Sequence, residues 1–417
     1  MRRVKEVLLL TIPLLGLTAC GGLDNPSNEE VKGGELVVNF PASVMKETLL
    51  AKGVISKEQR VFGYKAYKIP YTTRDEEGNE VEVSGLFVIP PMLGKQVTPL
   101  GGLSMVSDDH GTIFANREAP SVVGDLTGAP DGSAVILTSL GGFATLQPDY
   151  IGFGDAKSHY HPFVLKDSLA STTIDFIRAV KIFAKENKIM LNDQLFLTGY
   201  SEGGYGAMAT LKKIEEEGLS DLNVTLAAPM SGPYALKSMA DAVLTQPKLS
   251  VPSFMADMGY AYAKANGEEI TSVVNEPYAS KLSTLFNGDF NRTEIDPKLT
   301  YKTTGDDGLF VGRFVKDYFS KEGNWFREAM SENSLHAWRP QTPLQLIHCQ
   351  GDDVIPFAIS KLTAGTMQKM GAENVSVIPV EAMLGLDYNV THSSCGPLAY
   401  TVTTKIFANI RKETKGY

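Results

Sequence analysis

A serine hydroxyl becomes a useful nucleophile when a sharp turn lifts it clear of the backbone and a base stands ready to take its proton. One stretch of this chain has the residues for such a turn. Gly199-Tyr200-Ser201-Glu202-Gly203 is preceded by the apolar run Leu195-Phe196-Leu197 and followed by Gly204, Tyr205 and a helix-forming segment. The flanking glycines permit a tight strand-to-helix turn, and the helix N-terminus favours negative charge developing beside the serine. The bland alternative is a glycine-rich turn that merely packs tightly. Where a nucleophile sits on such a turn of a mostly parallel sheet, the acid and then the histidine follow it along the chain. Of the six histidines, His110, His159 and His161 precede Ser201, His336 falls in a long helical stretch, and His348 ends an apolar strand. His392, in Thr391-His392-Ser393-Ser394 after the last expected strand, is therefore the predicted base. For the acid, the loop after Leu344–His348 offers Asp352 and Asp353, and Asp387 is an outside candidate.

Acyl transfer also needs donors for the tetrahedral oxyanion, commonly the amide after the nucleophile and one from the loop after an earlier strand. The first would be Glu202. The second is expected from Ser107-Asp108-Asp109-His110-Gly111-Thr112, with the Thr112 amide preferred and Asp109 or His110 as alternates. His110 beside a glycine turn could equally serve only to hydrogen-bond its loop. Pro148-Asp149-Tyr150-Ile151-Gly152-Phe153-Gly154 has the wrong glycine spacing for a nucleotide and is expected to fix the loop behind the site. His159 and His161 have no Cys or carboxylate at zinc spacing, so no metal site and no cofactor are predicted.

The elements that must position these residues follow from hydrophobic pattern. Val61–Tyr71 and Val81–Ile89 alternate apolar and polar around the turn-forming Arg74–Asn79, predicting an opening antiparallel hairpin. Buried strands are expected at Leu100–Val106, Phe143–Asp149, Gln194–Thr198, Val224–Pro229, Leu344–His348 and Val375–Val380, alternating with helices at Leu169–Asn187, Tyr205–Ile214 and Leu398–Ile410. That rhythm predicts an α/β fold with a mostly parallel central sheet. It breaks between Pro233 and Pro340, where Tyr-, Phe- and Met-rich helical stretches predict an inserted helical cap. The expected division is thus a first core part at 35–232, a cap at 233–341 and a second core part at 342–417. Cap residues such as Met255, Met258, Tyr260, Tyr262, Phe310, Phe314, Trp325, Phe326 and Trp338 are expected mainly to pack the cap, a fraction of them facing the serine.

The chain has 417 residues and is 43% hydrophobic and 21% charged, which excludes disorder, collagen and coiled coil. A net charge of -9 with no basic stripe argues against a nucleic-acid partner. Arg2, Arg3 and Lys5 precede the apolar run Val7–Leu17, too short to span a bilayer but of signal-peptide length. Its ending, Leu17-Thr18-Ala19-Cys20, resembles a bacterial lipobox, which implies a signal peptide at 1–19 and a lipidated Cys20. Residues 20–34 then read as a solvated tether. The expected location is the bacterial cell envelope, held to a membrane by lipid, at the outer membrane and facing periplasm or exterior. With Cys20 lipidated, Cys349 and Cys395 remain, either as one bridge or as two buried thiols. A bridge would tie the loop of the acid to that of the base, since one cysteine lies three residues before Asp352 and the other three after His392.

His348-Cys349-Gln350-Gly351-Asp352-Asp353-Val354-Ile355-Pro356 resembles the α/β-hydrolase pattern H-G-x-x-D-x-x-V-P, departing from it at Cys349 and matching Asp352 to the acid. His110-Gly111-Thr112 resembles the oxyanion loop of many hydrolases. Together with Pro148-Asp149-Tyr150-x-Gly152, Gly199-Tyr200-Ser201-x-Gly203-Gly204 and the cap, these motifs make the chain similar to the secretory lipase A family from about Arg60 onward. The resemblance implies cofactor-free hydrolysis of a small-molecule, lipid or carbohydrate ester by a monomer, with Ser201 as nucleophile, His392 as base and Asp352 as its orienting acid. Two further readings follow: an aminopeptidase-like or carbohydrate-ester hydrolase, for which cap acids such as Asp241, Asp257, Glu268 and Glu269 would matter, and a surface lipoprotein that binds without turnover.

Overall fold

The structure is a computed structural model that describes residues 32–91, 101–122 and 132–416. The expected signal peptide, Cys20 and most of the tether lie outside the described residues.

Nine strands form one sheet in the order β1-β2-β3-β5-β4-β6-β7-β8-β9. Glu35–Phe40 (β1), Tyr64–Arg74 (β2) and Glu80–Ile89 (β3) run antiparallel, and Leu103–Asp109 (β4), Ala144–Pro148 (β5), Leu191–Tyr200 (β6), Val224–Met230 (β7), Leu344–His348 (β8) and Val375–Pro379 (β9) are mutually parallel. The sequence reading missed β1. Its signal is short, three alternating buried residues (Leu36, Val38, Phe40), and its pairing with β2 is long-range. The hairpin begins later than expected because Phe62 and Gly63 bond Ser139 and Pro91 instead of a neighbouring strand. Its turn is closed by Asp75, whose carboxylate accepts the amides of Glu77 and Asn79.

Strand alternation sends successive side chains to opposite faces, and each face has its own helices. Leu195 and Leu197 of β6 bury against Lys166–Glu186 (α2) and Glu202–Glu217 (α3), where Ile174, Ile177, Val180 and Phe183 form the expected helical stripe. Phe196 between them faces the other way, stacked 4.5 Å from Phe407 of the C-terminal helix. Ala42–Ala51 (α1) and Phe357–Lys369 (α8) complete the layers.

Between β7 and β8 the chain forms a helical cap from Leu236–Leu244 (α4), Pro252–Ala265 (α5), Gly312–Ser320 (α6) and Trp325–Glu332 (α7), with two four-residue helices, Leu282–Leu285 and Arg292–Ile295. Tyr262, Phe310, Phe314, Tyr318 and Phe326 pack as its own apolar centre. The Tyr262 hydroxyl donates to Val164 O at 3.0 Å and that of Tyr205 to Asn333 O at 2.7 Å, fastening cap to core.

Because β5 lies on one side of β4 and β6 on the other, the chain reverses direction across the sheet here, and the crevice outside the strand ends is where ligands bind in such sheets. Asp109 pairs with Gly199, so the loop after β4 and the turn after β6 emerge side by side. Val380–Leu384 (α9) and His392–Lys415 (α10) follow β9, and the first residue of α10 lies at that edge.

Candidate active site

Ser201 stands between β6 and α3 with φ of 61° and ψ of -118°, a conformation a non-glycine residue adopts only when its surroundings impose it. The turn is held by its amide, which donates to Met230 O at 2.9 Å, and by its carbonyl, which accepts the Tyr205 amide. Close approach explains the glycines that follow: a Cβ at Gly203 would collide with the carbonyl of Asp109, and one at Gly204 with that of Met230. Both positions let α3 start against the ends of β4 and β7.

His392 Nε2 lies 2.9 Å from Ser201 Oγ, and its Nδ1 lies 2.6 Å from Asp352 Oδ2. The structure thus brings the three predicted residues into one hydrogen-bonded chain. Asp352 is an acceptor throughout: Oδ1 takes the amides of Val354 and Ile355 at 3.0 and 2.8 Å. Burial alone would raise its carboxyl, but hydrogen bonds and charge from His348 and His392 hold it well below the usual carboxylate range. An ionised Asp352 fixes the His392 proton on Nδ1, leaving Nε2 to accept from the serine hydroxyl.

Several details differ from the sequence reading. His392 lies ahead of the helix expected from Leu398, yet it is the first residue of α10, which begins six positions earlier. Pro397 reads as a helix boundary, yet the helix runs through it and forgoes the bond that an amide there would make to Ser393 O. Asp353, the neighbouring candidate for the acid, is exposed but accepts the His392 amide at 2.9 Å and so caps that helix. His348, passed over in the sequence, is buried beside the acid, its Nε2 2.9 Å from Ile355 O and 3.3 Å from Asp352 Oδ2. Asp387 is exposed.

Glu202 occupies the first position of α3, where backbone amides have no partner within the helix. Thr112 lines the same crevice, and among the described residues nothing accepts its amide. His110 stacks on Tyr150 with ring centroids 4.0 Å apart and places its ring nitrogens 2.8 Å from Gly111 O and 3.2 Å from Asp149 O, so its visible role is to brace the loop. Asp149 is buried and accepts from Ser84 and Ser121, which ties the turn after β5 behind the site.

Cys349 and Cys395 are joined by a disulfide, linking the loop of Asp352 to the first turn of α10. Replacing both by alanine is expected to lower stability by about 4 kcal/mol, the loop-closure value for 46 residues. Thermal melts of oxidised, reduced and double-alanine protein check this, and activity should fall ahead of global unfolding because two members of the hydrogen-bonded chain lose their tie.

Two clefts meet at Ser201. One runs under the cap and is lined by Phe163, Met239, Val243, Phe254, Met255 and Met258 among others. The second is open and mixed in character, with Glu118, Asn291, Arg292 and Thr293 facing His392 and Ser393. Of the cap residues singled out in the sequence, Met255 and Met258 therefore face the serine, whereas Tyr262, Phe310, Phe314 and Phe326 pack within the cap. Among the described residues no cluster could hold a metal ion, and no helix is long and apolar enough to cross a membrane.

The strand order, the turn after β6 and the cap between β7 and β8 define an α/β-hydrolase fold. Among solved structures the chain is similar to a protein described as a hydrolase from Legionella pneumophila, at 24% identity and a TM-score of 0.79, covering 93% of this chain and 99% of that one. It is also similar to the rice cell wall degrading esterase LipA from Xanthomonas oryzae, at 23% identity and a TM-score of 0.74, covering 91% and 96%. Candida antarctica lipase A in its closed state shares 16% identity, with a TM-score of 0.57 over 89% of this chain and 83% of that one. No protein-family model matches the chain, and no curated protein sequence does.

Proposed function

We propose that the protein is a serine hydrolase of carboxylic esters, acting through an acyl-enzyme intermediate. The observation that carries this reading is the unbroken chain Ser201–His392–Asp352 opening onto an apolar cleft. His392 takes the hydroxyl proton as Ser201 Oγ attacks the ester carbonyl, and the amides of Glu202 and Thr112 receive the oxyanion. The imidazolium, stabilised by Asp352, then protonates the departing alcohol. Water repeats the sequence on the acyl-enzyme and releases the acid.

Since His392 must reach the leaving oxygen, the alcohol belongs in the cleft that contains His392, with Arg292 and Asn291. The acyl chain belongs in the apolar cleft under the cap, which contains Ser201 and Glu202 but not His392. Both assignments favour an ester joining an apolar acyl chain to a polar alcohol. An aminopeptidase would need a free cap carboxylate to hold the substrate's amine. Asp241 is engaged by Lys237 and Tyr318, Glu268 and Glu269 are exposed, and burial pushes Asp257 up to about 8, so it carries no charge at neutral pH. The lipobox adds the further proposal that the enzyme works at the cell envelope on a lipid tether.

The test is a panel of p-nitrophenyl esters from acetate to palmitate beside aminoacyl anilides. Turnover of esters is expected, and turnover of anilides alone would replace this reading with a peptidase. Met258→Trp should lower kcat/KM for decanoate by at least about 10-fold relative to acetate, the scale set by filling a few methylene positions. Equal effects on both esters would remove the acyl assignment.

A further inference from the structure

Three ionisable side chains that the acyl-transfer steps do not use lie buried together behind the site of the oxyanion. Glu202 is 2% exposed, and its Oε1 lies 2.8 Å from Nε2 of His161. His161 is itself buried, its Nδ1 2.9 Å from the carbonyl of Ile151. A carbonyl only accepts, so Nδ1 carries a proton and the contact with Glu202 holds one more. Asp257, reaching in from α5 of the cap, is 3% exposed and acts electrostatically on His161. The rings of Tyr150, Phe153 and Phe163 surround the imidazole, keeping the group out of water.

Glu202 is also the residue whose amide is placed to receive the oxyanion. A bare carboxylate buried on that residue would oppose the negative charge that must develop beside it, and the dry surroundings would not screen the repulsion. We propose that His161 is a positioning residue of the oxyanion hole: by pairing with the Glu202 side chain it cancels that charge and fixes the first turn of α3. This rests on the ester-hydrolase reading above.

The sign follows from the groups that face the pair. Burial holds Asp109 of β4 well above the carboxylate range, and Tyr150 and Tyr205 well above the phenol range, so the two phenols are uncharged near neutrality. Burial alone would lower His161, but the charge and hydrogen bond of Glu202, with Asp257 adding to them, push it up to about 9. Asp257 is raised to about 8, chiefly by burial. Near pH 7 His161 therefore carries positive charge and Asp257 none. Raising the pH through 8 to 9 ionises Asp257 and then discharges His161, leaving negative charge beside the oxyanion.

The experiment compares full pH profiles of kcat and KM on a soluble chromogenic ester for the wild type, His161→Gln, the double variant His161→Gln/Glu202→Gln, and the corresponding His161→Asn pair. His161→Gln is expected to lower kcat by about 10- to 100-fold with little change in KM, somewhat less than removing an oxyanion donor outright. The double variant should recover most of that loss, because the uncompensated carboxylate is gone while its amide remains. Losses that add instead would overturn the proposal and leave His161 a packing residue. Where His161→Gln fails to fold, His161→Asn with and without Glu202→Gln makes the same comparison, and additive losses there overturn the proposal equally. Ser201→Ala, measured alongside, separates the two readings. If it retains activity, the serine mechanism falls and the proposal with it; if it is dead and the other variants behave as wild type, the proposal alone fails.

Discussion

Ser201→Ala is expected to lower kcat by about 10⁶-fold, the scale on which serine-triad enzymes respond to loss of the nucleophile, while the fold stays intact. The size of the effect follows from the site: among the described residues no other hydroxyl stands within a hydrogen bond of His392 Nε2, so no side chain can substitute. The fold should tolerate the change because the turn is held by backbone bonds to Met230 and Tyr205 and by the packing of Gly203 and Gly204, none of which uses the hydroxyl. Alanine must still adopt the positive φ imposed at that position, as serine does. Burst-phase kinetics and labelling by a fluorophosphonate measure the loss directly, and circular dichroism checks the fold. Normal turnover in this variant would refute the nucleophile.

Asp352→Asn is expected to cost about 10⁴-fold in kcat with little change in KM, because the amide can offer its NH₂ to His392 and favour the wrong tautomer. Asp352 accepts from His392, Val354 and Ile355 and lies near His348, and an amide placed there meets donors on nearly every side. Stability should fall as well. The carboxyl is held below its ordinary range, so its contribution is present above the unfolded value and is lost as pH falls through the depressed folded one. The asparagine variant should therefore show a flatter acid unfolding curve than the wild type. Asp353→Asn, in contrast, leaves a capping oxygen at the His392 amide and is expected to stay within a few-fold of wild-type activity.

What could be read in one dimension was whatever is encoded by neighbours in the chain. The Gly199–Gly204 turn, the apolar run before it and the helix after it are contiguous, so residue type alone implied the geometry of Ser201. The order of acid and base after it likewise singled out His392, the resemblance of His348–Pro356 to a hydrolase pattern matched Asp352 to the acid, and the loss of strand rhythm from Pro233 to Pro340 outlined the cap. The turn residues of the opening hairpin were legible for the same reason: Asp75, Gly78 and Asn79 bond to one another across a few positions.

The tertiary structure alone decided the pairings between distant segments. His161 lies 41 residues from Glu202, and in the sequence it was only a histidine without zinc ligands; its partner is chosen by how the turn after β5 packs on α3. Cys349 and Cys395 could be bridged or free until α10 was placed against the end of β8. Met255 and Met258 were indistinguishable from the other apolar cap residues until the cap was seated on the sheet edge. β1 carries too few residues for periodicity to separate it from a loop, and it becomes a strand because the exposed edge of β2 is there to pair with it. The cause is common to all four. Local backbone conformation follows from steric and hydrogen-bonding preferences within a few residues, whereas burial and charge pairing are settled by which surfaces meet once the layers close.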